Sequence, residues 1–355
     1  MTMATIAAVE TRLVTLPLAR PWGADVTTMS LVEVVVADSD GCRGRGFSWT
    51  PTIGAHAVRA LIDHDITAFA LGRSIEPVDL WPALWAHLHE AGGGGVTTIA
   101  MAGLDLALWD LAGVRAESSV VDLLGRTRES VEVYGSGVNL HYSQDDLVAQ
   151  TERWVAAGFD AVKIKVGSPD LARDVERLAA VRAVLGPNRR LMIDANQRWD
   201  LDRAERAIGE LSRFDLAWIE EPLRADDLPG HVALRSRIDV PIALGENVHT
   251  RYRFAEFIAA GAVDIVQPNI VRVGGITPFR QIAELADATG TTLAPHLLLD
   301  LSGQLAVTLT HPTLVESVED ASFTDLGALA EPSPVSVDGS RLVVDPRAGL
   351  GLHFA

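Results

Sequence analysis

The chain reads as an α/β protein whose larger part is a closed barrel of parallel strands, preceded by a mixed segment of strands and helices. From about Val131 short β-rich runs alternate with amphipathic helices, an order that yields parallel strands joined by right-handed crossovers. Eight candidate strand ends fall near Val138, Lys165, Asn196, Glu220, Gly245, Pro268, His296 and Val318, the number a barrel requires. No Gly-rich dinucleotide fingerprint follows the first of these strands and no phosphate-loop motif occurs, which disfavours an open doubly wound sheet.

Three segments are expected, 1–125, 126–325 and 326–355. In the first, Leu31–Gly41 (LVEVVVADSDG) is β-branched and ends in turn residues, as a strand entering a hairpin does. A helical pattern over Val78–Glu90 stops at four consecutive glycines, Gly92–Gly95, because glycine loses the most backbone entropy on ordering. TTIAMAGLDLALWDLAG then carries apolar and small residues at helical spacing, the texture of a helix buried against another element.

In the second segment Leu178, Val181 and Leu185 mark one helical stripe, Gly186-Pro187 ends it, and LMIDAN follows as a strand. Leu201, Ala204, Ile208 and Leu211 repeat the stripe before LAWIEEP. IALGEN, a helix around Phe254–Ala260, DIVQPN, a helix over Pro278–Thr289 and TLAPH continue the series. The last segment, with Pro332, Pro334 and the strand-like RLVVD, is expected to return to the first.

The formal charge of −17 comes with no clustered basic face, so a nucleic-acid or anionic-membrane partner is not expected. The single cysteine, Cys42, excludes an intrachain disulfide and a cysteine-based zinc site, as suits a reducing cytoplasm. Glu10 and Arg12 interrupt the N-terminal apolar residues, and the apolar window Leu293–Leu309 carries His296 and Asp300. No membrane span is expected.

A barrel places its active site at the strand C-termini, and these ends are rich in polar residues. Strand two ends Lys163-Ile164-Lys165, strand three Asp194-Ala195-Asn196, strand four Glu220-Glu221, strand five Glu246-Asn247, strand six Pro268-Asn269 and strand seven His296. Alternation puts Lys163 and Lys165 on one face, likewise Asp194 and Asn196, and forbids Glu220 and Glu221 from both facing inward. Asp194, Glu220 and Glu246 are spaced 26 residues apart, one strand-plus-helix unit each, so their carboxylates would converge. Three like charges together raise one another's pKa values, and a hard dication with oxygen ligands, Mg²⁺ above all, resolves the conflict.

KIKVG, LMIDAN, WIEEP, LGEN, VQPN…VGGIT and APH, with ALWDLAG…DLLG upstream, resemble the mandelate racemase subgroup of the enolase superfamily. The resemblance implies a modified (β/α)₇β barrel of the TIM type under an N-terminal α+β capping domain, with one Mg²⁺ and a small-molecule carboxylate substrate between them, in a homo-oligomer. It makes Asp194, Glu220 and Glu246 the metal ligands, and Lys165 the base at the substrate's α-carbon. Lys163 beside it and the nearby metal would together lower its pKa. His296 becomes the acid/base on the opposite face, and Glu316 a group near the substrate carboxylate that donates to the developing oxyanion if protonated. Asn196 and Asn269 are expected at the substrate, as are Trp22 and Trp49 of the capping domain, with core packing nearly as good a reading for the two tryptophans. His249, close after Glu246, could reach the site, while the other histidines read as surface or helix residues.

The chain departs from the family at Asn269, where an Asp supports the histidine or a catalytic Lys stands. The branches that use that Lys are thereby disfavoured, and His296 without a carboxylate partner should be the weaker base. A racemase needs comparable groups on both faces, whereas elimination needs one strong base and one acid. The resemblance and this asymmetry together favour dehydration of an acid sugar to a 2-keto-3-deoxy acid. The alternatives are a sugar-acid lactone cycloisomerase working by the same elimination, a 2-hydroxy-acid racemase or epimerase, and an inactive barrel serving as a binding protein.

Overall fold

A computed structural model describes residues 4–23 and 26–355. An antiparallel three-stranded sheet opens the chain, in the order β1 (Ile6–Trp22), β2 (Val26–Asp38), β3 (Arg43–Thr50). The β-branched run from Leu31 forms the latter part of β2, and Ser39–Gly41 turn it into β3. Helix Ala55–Leu61 and the long helix Val96–Arg115 cover this sheet, and Pro77–Leu88 packs on Val96–Arg115. Val96–Arg115 alone among the described helices is long and apolar enough to cross a membrane, and 83% of its apolar window is buried inside the protein. Its apolar character therefore serves core packing.

Eight parallel strands follow: β4 (Ser130–Ser136), β5 (Ala161–Lys165), β6 (Arg190–Asp194), β7 (Leu216–Glu220), β8 (Ile242–Leu244), β9 (Ile265–Val266), β10 (Thr292–Leu293) and β11 (Leu314–Val318). Seven α-helical connections separate them: Gln144–Ala156, Leu171–Leu185, Leu201–Leu211, Leu228–Arg235, Arg251–Ala259, Ile276–Thr289 and Leu299–Ala306. Asp170, Asp200, Asp227 and Thr250 each accept a hydrogen bond from a first-turn N–H of the helix they precede, which starts those helices where the loops from the preceding strands end.

The strands pair in sequence from β4 to β10, and β11 pairs with β4. The described ladders do not join β10 to β11, but Thr313 Oγ1 donates to Leu293 O across that seam. Tyr134, Ala161, Met192, Trp218, Ala243, Ile265 and Ala294 form one interior cluster, with Leu314 packed on it. Every one of the eight strands or its immediate extension thus faces a shared interior, as in a TIM-type barrel. This is the modified (β/α)₇β architecture under an α+β cap.

After β11 the chain makes an antiparallel hairpin, β12 (Val335–Asp338) and β13 (Arg341–Val344), with β13 laid against β4. It then runs to the cap, where Leu350 N donates to Asp110 Oδ1 at 2.6 Å and Arg12 Nη1 donates to the carbonyl of Ala355 at 2.6 Å.

A carboxylate and lysine cluster at the barrel mouth

Strand register brings the acidic groups together. Lys165 stands opposite Asp194 in the β5–β6 ladder, and Asp194 opposite Glu220 in the β6–β7 ladder. Glu246 lies just beyond β8, and one oxygen from each of Asp194, Glu220 and Glu246 falls within 4.8 Å of the others. Lys163 and Lys165 both face this cluster, as strand alternation requires. Lys163 Nζ lies 2.6 Å from Glu220 Oε1 and 2.8 Å from Glu316 Oε1, and Lys165 Nζ is paired with Asp194.

The turns that release these strands are tight. Asn196, Gln197, Glu221 and Leu297 have φ of 43°, 62°, 40° and 52°, a region that side chains other than glycine enter at a cost of about 1 kcal/mol or more. At Glu221 the turn separates the two adjacent glutamates. Glu220 faces the cluster, while Glu221 accepts from Asn247 Nδ2 at 2.9 Å and Gln197 Nε2 at 3.1 Å.

The charges are buried and interdependent. Burial raises Glu220 to about 7, with Asp194 and Glu316 adding to the rise and Lys163 opposing it. Burial also pushes Glu221 well above the ordinary carboxyl range, reinforced by Glu246 and Asp194. For Glu246 burial acts upward too, but His296, whose Nε2 lies 2.7 Å away, brings it well below that range. Glu316 likewise resists burial and sits at about 2 because of Lys163 and His296.

Glu316 accepts from Ser136 Oγ at 2.7 Å and from Leu297 N at 2.9 Å and faces the Lys163 ammonium, contacts that favour its ionised form. Burial and Lys163 push Lys165 down, while Asp194, helped by Glu246 and Glu220, leaves it above its ordinary value. The carboxylates that would satisfy a dication act instead on the amine.

Asn269 is fully buried and is placed behind His296, not on the cavity wall. Its Oδ1 accepts from the N–H groups of Val271 and Arg272, both at 3.1 Å, leaving Nδ2 to donate to His296 Nδ1 at 3.1 Å. That network assigns the neutral imidazole's proton to Nε2, the nitrogen nearest Glu246.

A cavity of about 180 Å³ opens above the cluster and is bordered by Lys165, Asn196, Glu246 and His296 from the barrel and by Trp22 and Trp49 from the cap. His249 lies elsewhere, in a separate cavity of about 440 Å³ beside Gly93 and Gly94.

Several contributors carried no sequence signal of their own. Gln267 Nε2 donates to Glu220 Oε2 at 2.7 Å, and Asn139 Oδ1 accepts from Lys165 N at 2.9 Å. Arg272 donates to Glu246 O at 3.0 Å and to Asn247 Oδ1. Single polar residues near strand ends are common, and only the assembled barrel aims these at the cluster. A close carboxylate triad offering only hard oxygen donors, with room beside it, suits Mg²⁺ and leaves further positions for water or a ligand.

Comparison with known proteins gives a consistent picture. Residues 3–125 match the mandelate racemase / muconate lactonizing enzyme N-terminal domain, and residues 146–355 the enolase C-terminal domain-like family. The 3,6-anhydro-α-L-galactonate cycloisomerase of Streptomyces coelicolor is 39% identical over 326 residues, 91% of this chain and 89% of the relative. The L-talarate/galactarate dehydratase of Salmonella typhimurium is 37% identical over 279 residues, 78% of this chain and 70% of the relative. A crystal structure of a racemase from Streptomyces coelicolor A3(2) with bound magnesium superposes with a TM-score of 0.92 at 36% identity, covering 98% of this chain and 97% of that one.

Proposed function

This chain belongs to the mandelate racemase / muconate lactonizing enzyme family of the enolase superfamily, and from that membership we propose that it removes the proton α to the carboxylate of a sugar acid and expels the oxygen on the β-carbon. When that oxygen is a hydroxyl the reaction is a dehydration to a 2-keto-3-deoxy acid. When it belongs to a ring the same electron movement opens the ring, the reading favoured by the cycloisomerase relative at 39% identity.

The observation that carries the proposal is the placement of Lys165 and His296 on the walls of one cavity, with the carboxylate triad beneath. Asp194, Glu220 and Glu246 would hold Mg²⁺, which when bound offsets the charge that builds on a substrate carboxylate as its α-proton leaves. Lys165 takes that proton once its amine is neutral. Lys163, buried and paired with Glu220 and Glu316, supplies fixed positive charge beside the developing anion. Asn196 and the cap tryptophans orient the substrate.

The state of His296 supports elimination over racemisation. With Asn269 donating to Nδ1, Nε2 carries a proton and offers no lone pair to accept one. The residue can therefore support a departing oxygen but is a poor second base, so one-sided elimination fits and two-base racemisation does not.

The test is Lys165→Ala. The variant is expected to bind Mg²⁺ by calorimetry as the parent does while losing at least about 10²-fold in keto-acid formation from sugar monoacids, diacids and lactones. Unimpaired turnover would remove Lys165 from the reaction. Exchange of the α-proton in D₂O with both configurations recovered and no keto product would point to racemisation instead.

A further inference from the structure

The peptide of Lys165 lies where one side of its ladder has run out. Among the described residues β4 pairs with β5 only at Gly135–Val162 and Ser136–Lys163. On the other side β5 and β6 stay in register through Lys165 opposite Asp194, and Val166 N donates to Asp194 O at 2.8 Å. Lys165 turns both its backbone polar groups toward the β4 side, beyond the last paired residue of that strand. Buried there without partners, each would cost as much as a lost hydrogen bond.

Two side chains take the strand's place. Asn139, fully buried in the loop after β4, accepts from Lys165 N through Oδ1 at 2.9 Å. Its Nδ2 donates to Gln150 Oε1 at 2.9 Å, and Gln150 Nε2 in turn donates to Glu319 Oε2 at 2.7 Å, a chain of donors that fixes which way the Asn139 amide points. Arg177, from the helix Leu171–Leu185, reaches the other half of the peptide. Its Nη2 donates to Lys165 O at 3.3 Å and to Asn139 O at 2.9 Å. Nη1 donates to Leu140 O and Tyr142 O at 3.1 and 3.3 Å, which pins the loop that carries Asn139.

For stability alone Arg177 is a poor choice. Its guanidinium bonds only to carbonyls, the residue is 2% exposed, and burial lowers it to about 10, still charged at neutral pH. A buried cation without an ionic partner disfavours the folded state. What the arrangement supplies is rigidity at one residue. With N–H and C=O both held, the Cα–Cβ bond of Lys165 keeps one direction into the barrel mouth.

We infer that Asn139 and Arg177 are positioning residues for Lys165, holding the end of β5 so that the amine meets the substrate's α-carbon in the reactive geometry, a role that presupposes Lys165 as the proposed base. Neither residue borders the cavity, so both act through the backbone of Lys165 and not on the substrate. A displacement of about 1 Å at a reacting group is enough to lose about 100-fold in rate.

Asn139→Leu, close in size but without an acceptor, tests this in the magnesium-loaded enzyme acting on the sugar acid from which the parent forms keto acid. A loss of about 10- to 100-fold in kcat is expected, with KM and Mg²⁺ affinity as in the parent, and the slowed step should show a full primary deuterium isotope effect with α-deuterated substrate. Hydrogen exchange resolved to single amides should find Lys165 N–H exchanging freely in this variant and Val166 N–H, bonded to Asp194 O, still protected. Asn139→Asp keeps the acceptor and should restore most of kcat and of the protection. Arg177→Lys keeps the charge but cannot fork between two carbonyls, and should lose kcat in the same way.

Should Asn139→Leu fail to fold, the same measurements on Arg177→Lys decide. Unchanged kcat in a folded variant, a loss confined to KM, a loss without an isotope effect, or an Asn139→Asp as impaired as Asn139→Leu overturns the inference. Failure of both Asn139→Leu and Arg177→Lys to fold overturns it as well, because the network would then serve the fold as a whole. With Lys165→Ala inactive, each of those outcomes leaves Lys165 standing as the base. Full activity in Lys165→Ala, or keto acid from no sugar acid at all, overturns the proposed function and this inference with it.

Discussion

Glu220 carries the sharpest conflict of forces in the molecule, a carboxyl that a cation needs ionised and that burial holds protonated up to about pH 7. Below about 7 a metal ion must displace a proton from Glu220, and above it the group is already ionised, so Mg²⁺ affinity should fall by up to about tenfold per unit as the pH drops below 7 and level off above it. Calorimetric titrations between about pH 5.5 and 8.5 check this, and a constant affinity across that range would show that Glu220 is not the group being deprotonated. Glu316, at about 2, stays ionised throughout and adds no slope. The two glutamates differ because Lys163 and His296 together outweigh burial at Glu316, whereas at Glu220 the attraction of Lys163 is offset by Asp194 and Glu316.

The helix Val96–Arg115 is the element that fixes the cap to the barrel. A Cβ at Gly44 or Gly46 of β3 would lie 2.2 or 2.3 Å from the Ala107 backbone, so glycine there lets the strand and the helix touch. Two carboxylates on the same helix reach beyond the cap. Asp105 accepts from Thr277 N at 3.0 Å and Thr277 Oγ1 at 2.6 Å, capping the barrel helix Ile276–Thr289 from outside. Asp110 accepts from Arg45 N at 2.7 Å in β3 and from Leu350 N at 2.6 Å in the tail. Asp105→Ala removes a cap and strands buried donors, and should cost about 2 kcal/mol in urea unfolding. A loss within error would show that the Thr277 contacts follow from packing and do not sustain it. The acidic residues of ALWDLAG and the sequence before it were legible as part of a buried helix, but their partners lie 172 and 240 residues downstream, beyond any periodicity argument.

Across the whole molecule one apolar core runs through cap, barrel and tail. Leu16, Met29, Phe47 and Trp49 of the cap sheet belong to the same cluster as Val162, Ile193 and Val315 of the barrel strands. Phe47, Phe323 and Phe354 meet edge to face with ring centres 5.1–5.4 Å apart, joining the cap to the segment after β11 and to the last turn of the chain. Trp81 Nε1 donates to Gly274 O at 2.9 Å and Trp109 Nε1 to Thr277 Oγ1 at 3.0 Å, adding polar contacts across the same boundary. With so much buried surface shared, cap and barrel should unfold together. Scanning calorimetry is expected to give one transition with equal calorimetric and van't Hoff enthalpies, and two resolved transitions would show that the cap melts by itself.

The sequence by itself determined the alternation of strands and helices, the polar strand ends and the 26-residue spacing of Asp194, Glu220 and Glu246, because side-chain periodicity and repeat length are local properties that survive without knowledge of the fold. Tertiary structure decided which neighbours those groups have. It bonded Asn269 to His296, placed His249 at another cavity, and set Glu316 against Lys163. It also brought Trp22 and Trp49 of the cap to the same cavity as Val138 and Val318 of the barrel. Protonation and specificity depend on distances of a few ångströms between residues far apart in the chain, and those distances exist only once the barrel has formed and the cap has been laid over it.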